Sequence, residues 1–302
     1  MNKIELSLVV LFVLCLSVMA QSPSPSPSPA APPPVSDIYL MPLQTKGGEL
    51  KLGQPNKITD WNGYNNQPFF LPDNKNLFYT SIREDKQADI FRYDVTRQVN
   101  ERLTFDPESE FSPTLTPDGK FFSVIRVEAD NTQRLWKFPL DKVAPVLVLK
   151  DIKPVGYHCW IDQNKVALFI LGQPNTLQIV DVNTGRAEVV AQNIGRTLRL
   201  IPKQDKLSFV HKVSAQEWVI KAVDLKTRQI STVIKTLPGS EDYAWTPSGI
   251  LLATREAKIY KWDPQKDSDW VQVADLSGAG LKTLTRLAVS PKSDWLAVVG
   301  AK

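Results

Sequence analysis

Leu71-Pro72-Asp73-Asn74-Lys75, running into Asn76-Leu77-Phe78-Tyr79, returns forty-five residues later as Thr116-Pro117-Asp118-Gly119-Lys120 before Phe121-Phe122-Ser123-Val124. Proline fixes φ at the first turn position, Asp or Asn tolerates the tight conformations, and a β-rich apolar run follows. Weaker copies are Asp162-Gln163-Asn164-Lys165, Pro202-Lys203-Gln204-Asp205, Pro247-Ser248-Gly249 and Pro291-Lys292-Ser293-Asp294. The starts at 72, 117, 162, 202, 247 and 291 are spaced by 45, 45, 40, 45 and 44 residues. A period near 44 predicts one four-stranded propeller blade per repeat.

Working outward from the turns, a bulky apolar residue stands two positions before each: Phe70, Leu115, Trp160, Leu200, Trp245 and Val289. These six are expected to fill equivalent core positions between blades. A second apolar strand recurs and ends in Asp or Pro, as in Ile90 to Asp94, Leu135 to Pro139, Leu177 to Asp181, Ile220 to Asp224 and Ile259 to Asp263. The sixth turn lies too near the carboxyl end to complete a blade. Ile38-Tyr39-Leu40-Met41-Pro42 and Gly47-Gly48-Glu49-Leu50-Lys51-Leu52 match the missing half. The predicted fold is all-β: six four-stranded blades over residues 36–302, with the amino-terminal and carboxyl-terminal hairpins paired in one sheet to close the ring.

The copies Tyr64 to Lys75 and Phe111 to Lys120, with the partner element Asp89-Ile90-Phe91-Arg92-Tyr93-Asp94, resemble the repeat of the TolB-like β-propellers. The resemblance implies an exported propeller that serves as a platform for protein interaction. TolB itself carries a further amino-terminal α/β domain, where this chain has a tether, so its partners do not carry over. Similar blades occur in prolyl-oligopeptidase-type enzymes, whose hydrolase domain holds a G-x-S-x-G elbow; this chain has no such motif.

The 302 residues are 42% hydrophobic and 23% charged with a formal charge of +4, an ordinary globular composition whose small, scattered charge gives no footprint for nucleic acid. Residues 1–20 read as a signal peptide cleaved after Ala20, which predicts a periplasmic or secreted protein. Uncleaved, the same stretch would be the one membrane anchor. Residues 21–35, with Ser-Pro repeats and Pro32-Pro33-Pro34, read as an extended tether. Cys159 is then the single thiol of the mature chain, so no internal disulfide is expected.

Chemistry is sparse. His158 and His211 have no paired spacing, and strand alternation sends His158 and Cys159 to opposite faces, so neither a metal nor another cofactor is expected. The loops before the first strands should converge on the mouth of the central channel. Glu108, Glu110, Glu241 and Asp242 lie there, with Asn66, Gln67, Ser112, Tyr157, His158, Arg196, Thr197 and Arg286 at equivalent places. Trp61, in the loop Asp60-Trp61-Asn62-Gly63, adds a candidate contact residue. Such a polar ring predicts a non-catalytic site for an envelope protein or a small ligand. The competing expectation is a carbohydrate-active hydrolase or lyase using the same carboxylates with Tyr157 and His158.

Overall fold

The computed structural model describes residues 33–46, 49–141 and 144–301. The expected leader and the tether up to residue 32 lie outside them. The described residues form six antiparallel sheets, and the predicted six-bladed ring is what they build. The innermost strands are Tyr64–Phe70, Ser109–Leu115, Val155–Trp160, Ile194–Leu200, Tyr243–Trp245 and Thr283–Val289. Around the ring each packs beside the next, and the sixth beside the first. Among the described residues the one helical segment is the short 3-10 turn Ser277–Ala279, and no helix is long and apolar enough to cross a membrane.

The second strand of each blade is buried on both faces, because each blade is sandwiched between its two neighbours. Asn76–Ile82, Phe121–Val127 and Trp295–Ala301 each bury their five central residues. That is why these strands read as mostly apolar runs, with Thr80, Ser81, Ser123 and Arg126 the buried polar exceptions, and not as alternations. The outer strands Ala187–Gln192 and Ile230–Lys235 are mostly exposed and mix polar with apolar residues, Val189 and Ile230 among the exposed ones. Core clusters span adjacent blades: Phe78 and Ile90 of the first meet Phe122, Val124 and Phe138 of the second, with the rings of Phe78 and Phe122 at 5.4 Å and those of Phe122 and Phe138 at 5.3 Å.

In the first three copies the repeated turn works through its aspartate. Asp73 Oδ1 accepts the backbone N–H groups of Lys75 and Asn76, both at 2.9 Å, and Asp162 Oδ1 accepts those of Asn164 and Lys165. The aspartates closing the third strands do the same for the outer hairpins, as Asp181 does for Asn183 and Thr184 and Asp224 for Lys226 and Thr227. A side chain that folds back on the amides two and three residues ahead fixes where each hairpin reverses.

Ring closure follows the expected two-plus-two scheme. Asp37–Lys46 pairs antiparallel with Trp295–Ala301, placing Ile38 opposite Val299 and Leu40 opposite Ala297, and the sheet is completed by Glu49–Leu52 and Thr283–Val289. One expectation needs correction. Of the six anchors before the turns, Phe70 and Trp160 are buried, Leu115, Trp245 and Val289 are half-buried, and Leu200 is 37% exposed. They sit at the lower end of the innermost strands, where the channel opens, so three of them (Phe70, Trp245 and Val289) face a cavity together with Leu200 instead of sealed core.

Candidate functional site

Three positions before each anchor, one residue per blade lines the same small cavity in the channel: Gln67, Ser112, Tyr157, Thr197, Asp242 and Arg286. The innermost strands place them there by breaking register. Five of the six shift against their second strand at this level, between Asn66 and Phe69, Phe111 and Thr114, Val155 and Tyr157, Ile194 and Leu198, and Thr285 and Leu287. Gln67, Ser112 and Arg286 take left-handed backbone conformations there, with φ of 58°, 55° and 42°. Such bulges turn a side chain out of the pleat toward the axis, and non-glycine residues hold that geometry only where surrounding structure enforces it.

The ring is tied together across and between blades. Arg286 of the sixth blade donates from Nη2 to the Tyr157 hydroxyl of the third at 2.8 Å and lies 4.9 Å from its ring centroid, a strut across the full channel. Arg196 grips Asp242 with two bonds, Nε to Oδ1 at 3.0 Å and Nη2 to Oδ2 at 2.6 Å, and Arg286 Nε stands 3.7 Å from the same carboxylate. Burial opposes the Asp242 charge, but the two guanidinium groups outweigh it and hold its carboxyl below the usual range. Burial likewise works against charge on Arg196, and Asp242 and Glu241 more than compensate, raising its pKa. Gln67 Oε1 accepts the backbone N–H of Ser112 at 2.8 Å and the Thr80 hydroxyl at 2.9 Å. Tyr64, beside this network, has its hydroxyl pushed up to about 12, chiefly by burial.

Below the ring, His158 is buried and neutral: burial drops its pKa to about 3. Its Nε2 lies 2.7 Å from Ser123 Oγ, which also receives Trp160 Nε1 at 2.8 Å and faces the Thr114 carbonyl at 3.1 Å. If the serine hydrogen goes to Thr114, His158 donates from Nε2, and its Nδ1 carries a bare lone pair. That Nδ1 and the Ser112 hydroxyl are both buried without a hydrogen-bond partner among the described residues. Cys159 points the other way, into the core shared with the fourth blade, as alternation requires.

Of the residues expected at the mouth, Gln67, Tyr157, His158, Arg196, Asp242 and Arg286 are brought together around the cavity. Ser112 and Thr197 join them, and Trp61, Asn66, Glu108, Glu110 and Glu241 lie elsewhere. Trp61 is half-buried in its loop with Arg83 5.9 Å from its ring, and Asn66 accepts its neighbour's N–H at 2.8 Å. Glu241 bridges Arg196 at 3.2 Å and Lys212 at 3.2 Å from behind the wall. Gly195 permits this approach, because a Cβ there would stand 2.6 Å from the Glu241 carboxylate. Glu108 and Glu110 belong to a different cluster, between the first and second blades: Arg126 contacts Asp106, reaches Glu108 at 2.6 Å and stands 3.4 Å from the fully buried Glu110. The left-handed residue at Ser112 breaks strand alternation and turns Glu110 away from the axis.

Sequence reasoning missed Arg199. It lines both the upper cavity, of about 60 Å³, and a lower cavity of about 200 Å³ whose walls include Phe69, Phe70, Leu200, Trp245 and Val289. A signal was present: at the position before the anchor the six repeats read Phe69, Thr114, Cys159, Arg199, Ala244 and Ala288, with a charge only in the fourth. Among the described residues no group of three or more His, Cys, Asp or Glu side chains is placed to hold a metal ion.

Removing the strut's acceptor with Tyr157→Phe is expected to cost about 0.5–1.5 kcal/mol in urea denaturation, the net value of one hydrogen bond. No change would show that Arg286 is held by Asp242 alone.

The sequence matches no known family and no curated protein. Solved structures share its fold. One assigned to TolB of Agrobacterium tumefaciens superposes with a TM-score of 0.68 at 14% identity, over 88% of this chain and 98% of that one. TolB of Acinetobacter baumannii gives 0.56 at 15% identity, over 88% of this chain and 64% of the other. An oligogalacturonate lyase in complex with manganese gives 0.53 at 11% identity, over 88% and 98%. The fold is therefore the TolB-like six-bladed propeller, at identities too low to carry an activity with it.

Proposed function

We propose that this chain is an exported, non-catalytic propeller that binds a partner or ligand through its central channel in the cell envelope. The observation that supports the reading most is the ring of six equivalent positions, one per blade, turned toward the axis by register breaks in five innermost strands. Left-handed backbone at Gln67, Ser112 and Arg286, within innermost strands, is a conformation that the surrounding structure must enforce, which favours a use for the side chains it aims at the axis. The apolar, weakly charged stretch at residues 1–20 supports export. Amino-terminal sequencing of the mature protein should then begin at Gln21, and an intact Met1 on a membrane-bound product would favour the anchor.

The non-catalytic part rests on the state of the titratable groups at the axis. Asp242 is locked by two arginines and His158 is neutral and bonded to Ser123, so neither is poised to exchange a proton near neutral pH. The test is capture from cross-linked envelope extract with the wild type and with a Tyr157→Phe/Arg286→Gln double variant, which opens the strut while leaving Asp242 paired with Arg196. Proteins or ligands retained by the wild type and lost by the variant support the reading. Turnover of an oligogalacturonide or a peptide by purified protein, abolished in the variant, would replace it with the enzymatic one.

A further inference from the structure

The channel wall is cationic and not fully satisfied. Its upper cavity is lined by three arginines, Arg196, Arg199 and Arg286, against one aspartate, Asp242. Glu241 and Lys212 behind Arg196 pair with each other at 3.2 Å and cancel. Two net positive charges therefore face a space enclosed by β-sheet, where low-dielectric walls focus the field and favour an anion. Arg196 and Arg286 are already engaged with Asp242. The Arg199 guanidinium makes no ion pair or hydrogen bond within the described residues, although it lies close enough to His158, Cys159 and Tyr243 for its charge to act on them.

Arg199 is not alone in lacking a partner. The Ser112 hydroxyl and His158 Nδ1, buried and unpartnered, line the same cavity. Two buried polar groups without protein partners, beside the half-buried Arg199 guanidinium around the same cavity of about 60 Å³, are a site for something that bonds to them, since buried polar groups are rarely left unmade. Arginine and serine are donors. His158 can become one too: if the Ser123 hydroxyl turns its hydrogen from the Thr114 carbonyl to Nε2, the ring proton moves to Nδ1 of this cavity-lining residue, with the ring still neutral. The set then presents a planar fork, a hydroxyl and an imidazole N–H, which suits a carboxylate.

The other side of Arg199 tells what the carboxylate is attached to. Arg199 also borders the lower cavity of about 200 Å³, whose walls are Phe69, Phe70, Leu200, Trp245, Leu287 and Val289 among others, and Leu200 at its lip is 37% exposed. Above Arg199, the Arg286–Tyr157 strut crosses the channel. We infer that the channel takes, from the face carrying the Pro-Asp turns, a carboxylate joined to an apolar group: its head bonded by Arg199, Ser112 and His158, its tail packed in the lower cavity. A small aliphatic acid and a peptide end with an apolar last residue share this chemistry. The inference rests on the channel-binding reading above and gives that channel its ligand class.

The test is isothermal titration of the processed protein with hexanoate, acetate, hexanamide, phosphate, and N-acetyl-Gly-Leu with a free or an amidated end. Hexanoate is expected to bind saturably and at least tenfold more tightly than acetate, since each buried methylene adds about fourfold. Hexanamide and the amidated peptide are expected to show no saturable heat, and Arg199→Gln to weaken hexanoate at least tenfold. Ser112→Gly, which suits the left-handed backbone, should weaken it by a smaller factor. The tighter of hexanoate and free-ended N-acetyl-Gly-Leu identifies the source as a small acid or a peptide end.

Equal binding of hexanoate and hexanamide, tighter binding of phosphate, or unchanged hexanoate affinity in Arg199→Gln would overturn the inference. Should Arg199→Gln fail to fold, the wild-type Arg199 Nε–H resonance gives the same answer: it shifts and saturates with hexanoate if the inference holds and stays put if it does not. Absence of hexanoate binding with partner capture intact would remove this inference alone, and hexanoate binding without any captured protein would keep the channel as a ligand site and remove only the protein-partner part of the reading.

Discussion

A chain cut after Asp294 is expected to lose cooperative folding of the entire ring, not of one blade. The cut removes Trp295–Ala301, the strand that lies between Asp37–Lys46 and Thr283–Val289. Leu296, Ala297, Val298 and Val299 are all buried, and they contribute to two inter-blade clusters, toward the fifth blade and toward the first. Burying one Leu or Val side chain is worth about 1.5–3 kcal/mol, so three of them plus a lost ladder approach the whole stability of a typical domain, about 5–15 kcal/mol. Calorimetry should show no sharp transition for the truncated protein. A native-like melting temperature would mean that the amino-terminal strands are held without the closing pair. Val298→Asp, leaving the chain length intact, should act in the same direction for the same reason.

The second large effect is expected at Arg126, whose side chain is 7% exposed. It faces Asp106, Glu108 and Glu110 and stacks 4.8 Å from the Trp136 ring, so it is the hub of the seam between the first and second blades. Arg126→Met roughly keeps the volume and leaves the Asp106 and Glu108 carboxylates without their cation beside the buried Glu110, a change expected to cost about 3–5 kcal/mol at pH 7. Glu110 gives the pH dependence its sign. Burial first, and then Asp106, push its pKa up to about 10 from an ordinary 4.5, against the pull of Arg126. The folded state thus holds a proton that the unfolded state has released. Stability from this group is full below about pH 4.5 and falls as pH rises toward 10, by up to about 1.4 kcal/mol per pH unit.

Glu110→Gln, a neutral mimic, should therefore stabilise the protein at pH 8 relative to wild type, change little at pH 4.5, and flatten the slope between them. Asp89, raised to about 6 mainly by burial despite its bond to Arg102 at 2.7 Å, contributes in the same direction over a narrower window. Urea denaturation across this range measures both. An unchanged slope in Glu110→Gln would show that Glu110 is ionised in the folded protein.

The fold was legible in the sequence because its decisive signals are local and repeated. Pro72-Asp73 and its five later counterparts mark the same hairpin, and the aspartate that folds onto the next amides in the first three needs no long-range context. Closure could be read for the same reason: Ile38 to Pro42 carries the third-strand pattern without the turn motif that stands before it in the other copies. The site was only half legible. A regular strand puts Glu110 and Ser112 on one face, and nothing in the sequence announces that Ser112 adopts φ of 55° and reverses the parity. The anchors were over-read, since Leu200 looks like Phe70 in the repeat but stands at the lip of a cavity. Arg199 could have been found by comparing copies column by column, where a charge among Phe, Thr, Cys and Ala stands out.

The claim that the channel is the binding surface is tested most directly by site-specific photo-cross-linking in cells producing the protein. A photoreactive phenylalanine analogue at Leu200, 37% exposed at the channel lip, is compared with the same group at Val189, 55% exposed on an outer strand. The account predicts a discrete adduct from position 200 and none from position 189. Adducts from 189 alone would contradict it and move the binding surface to the outer strands.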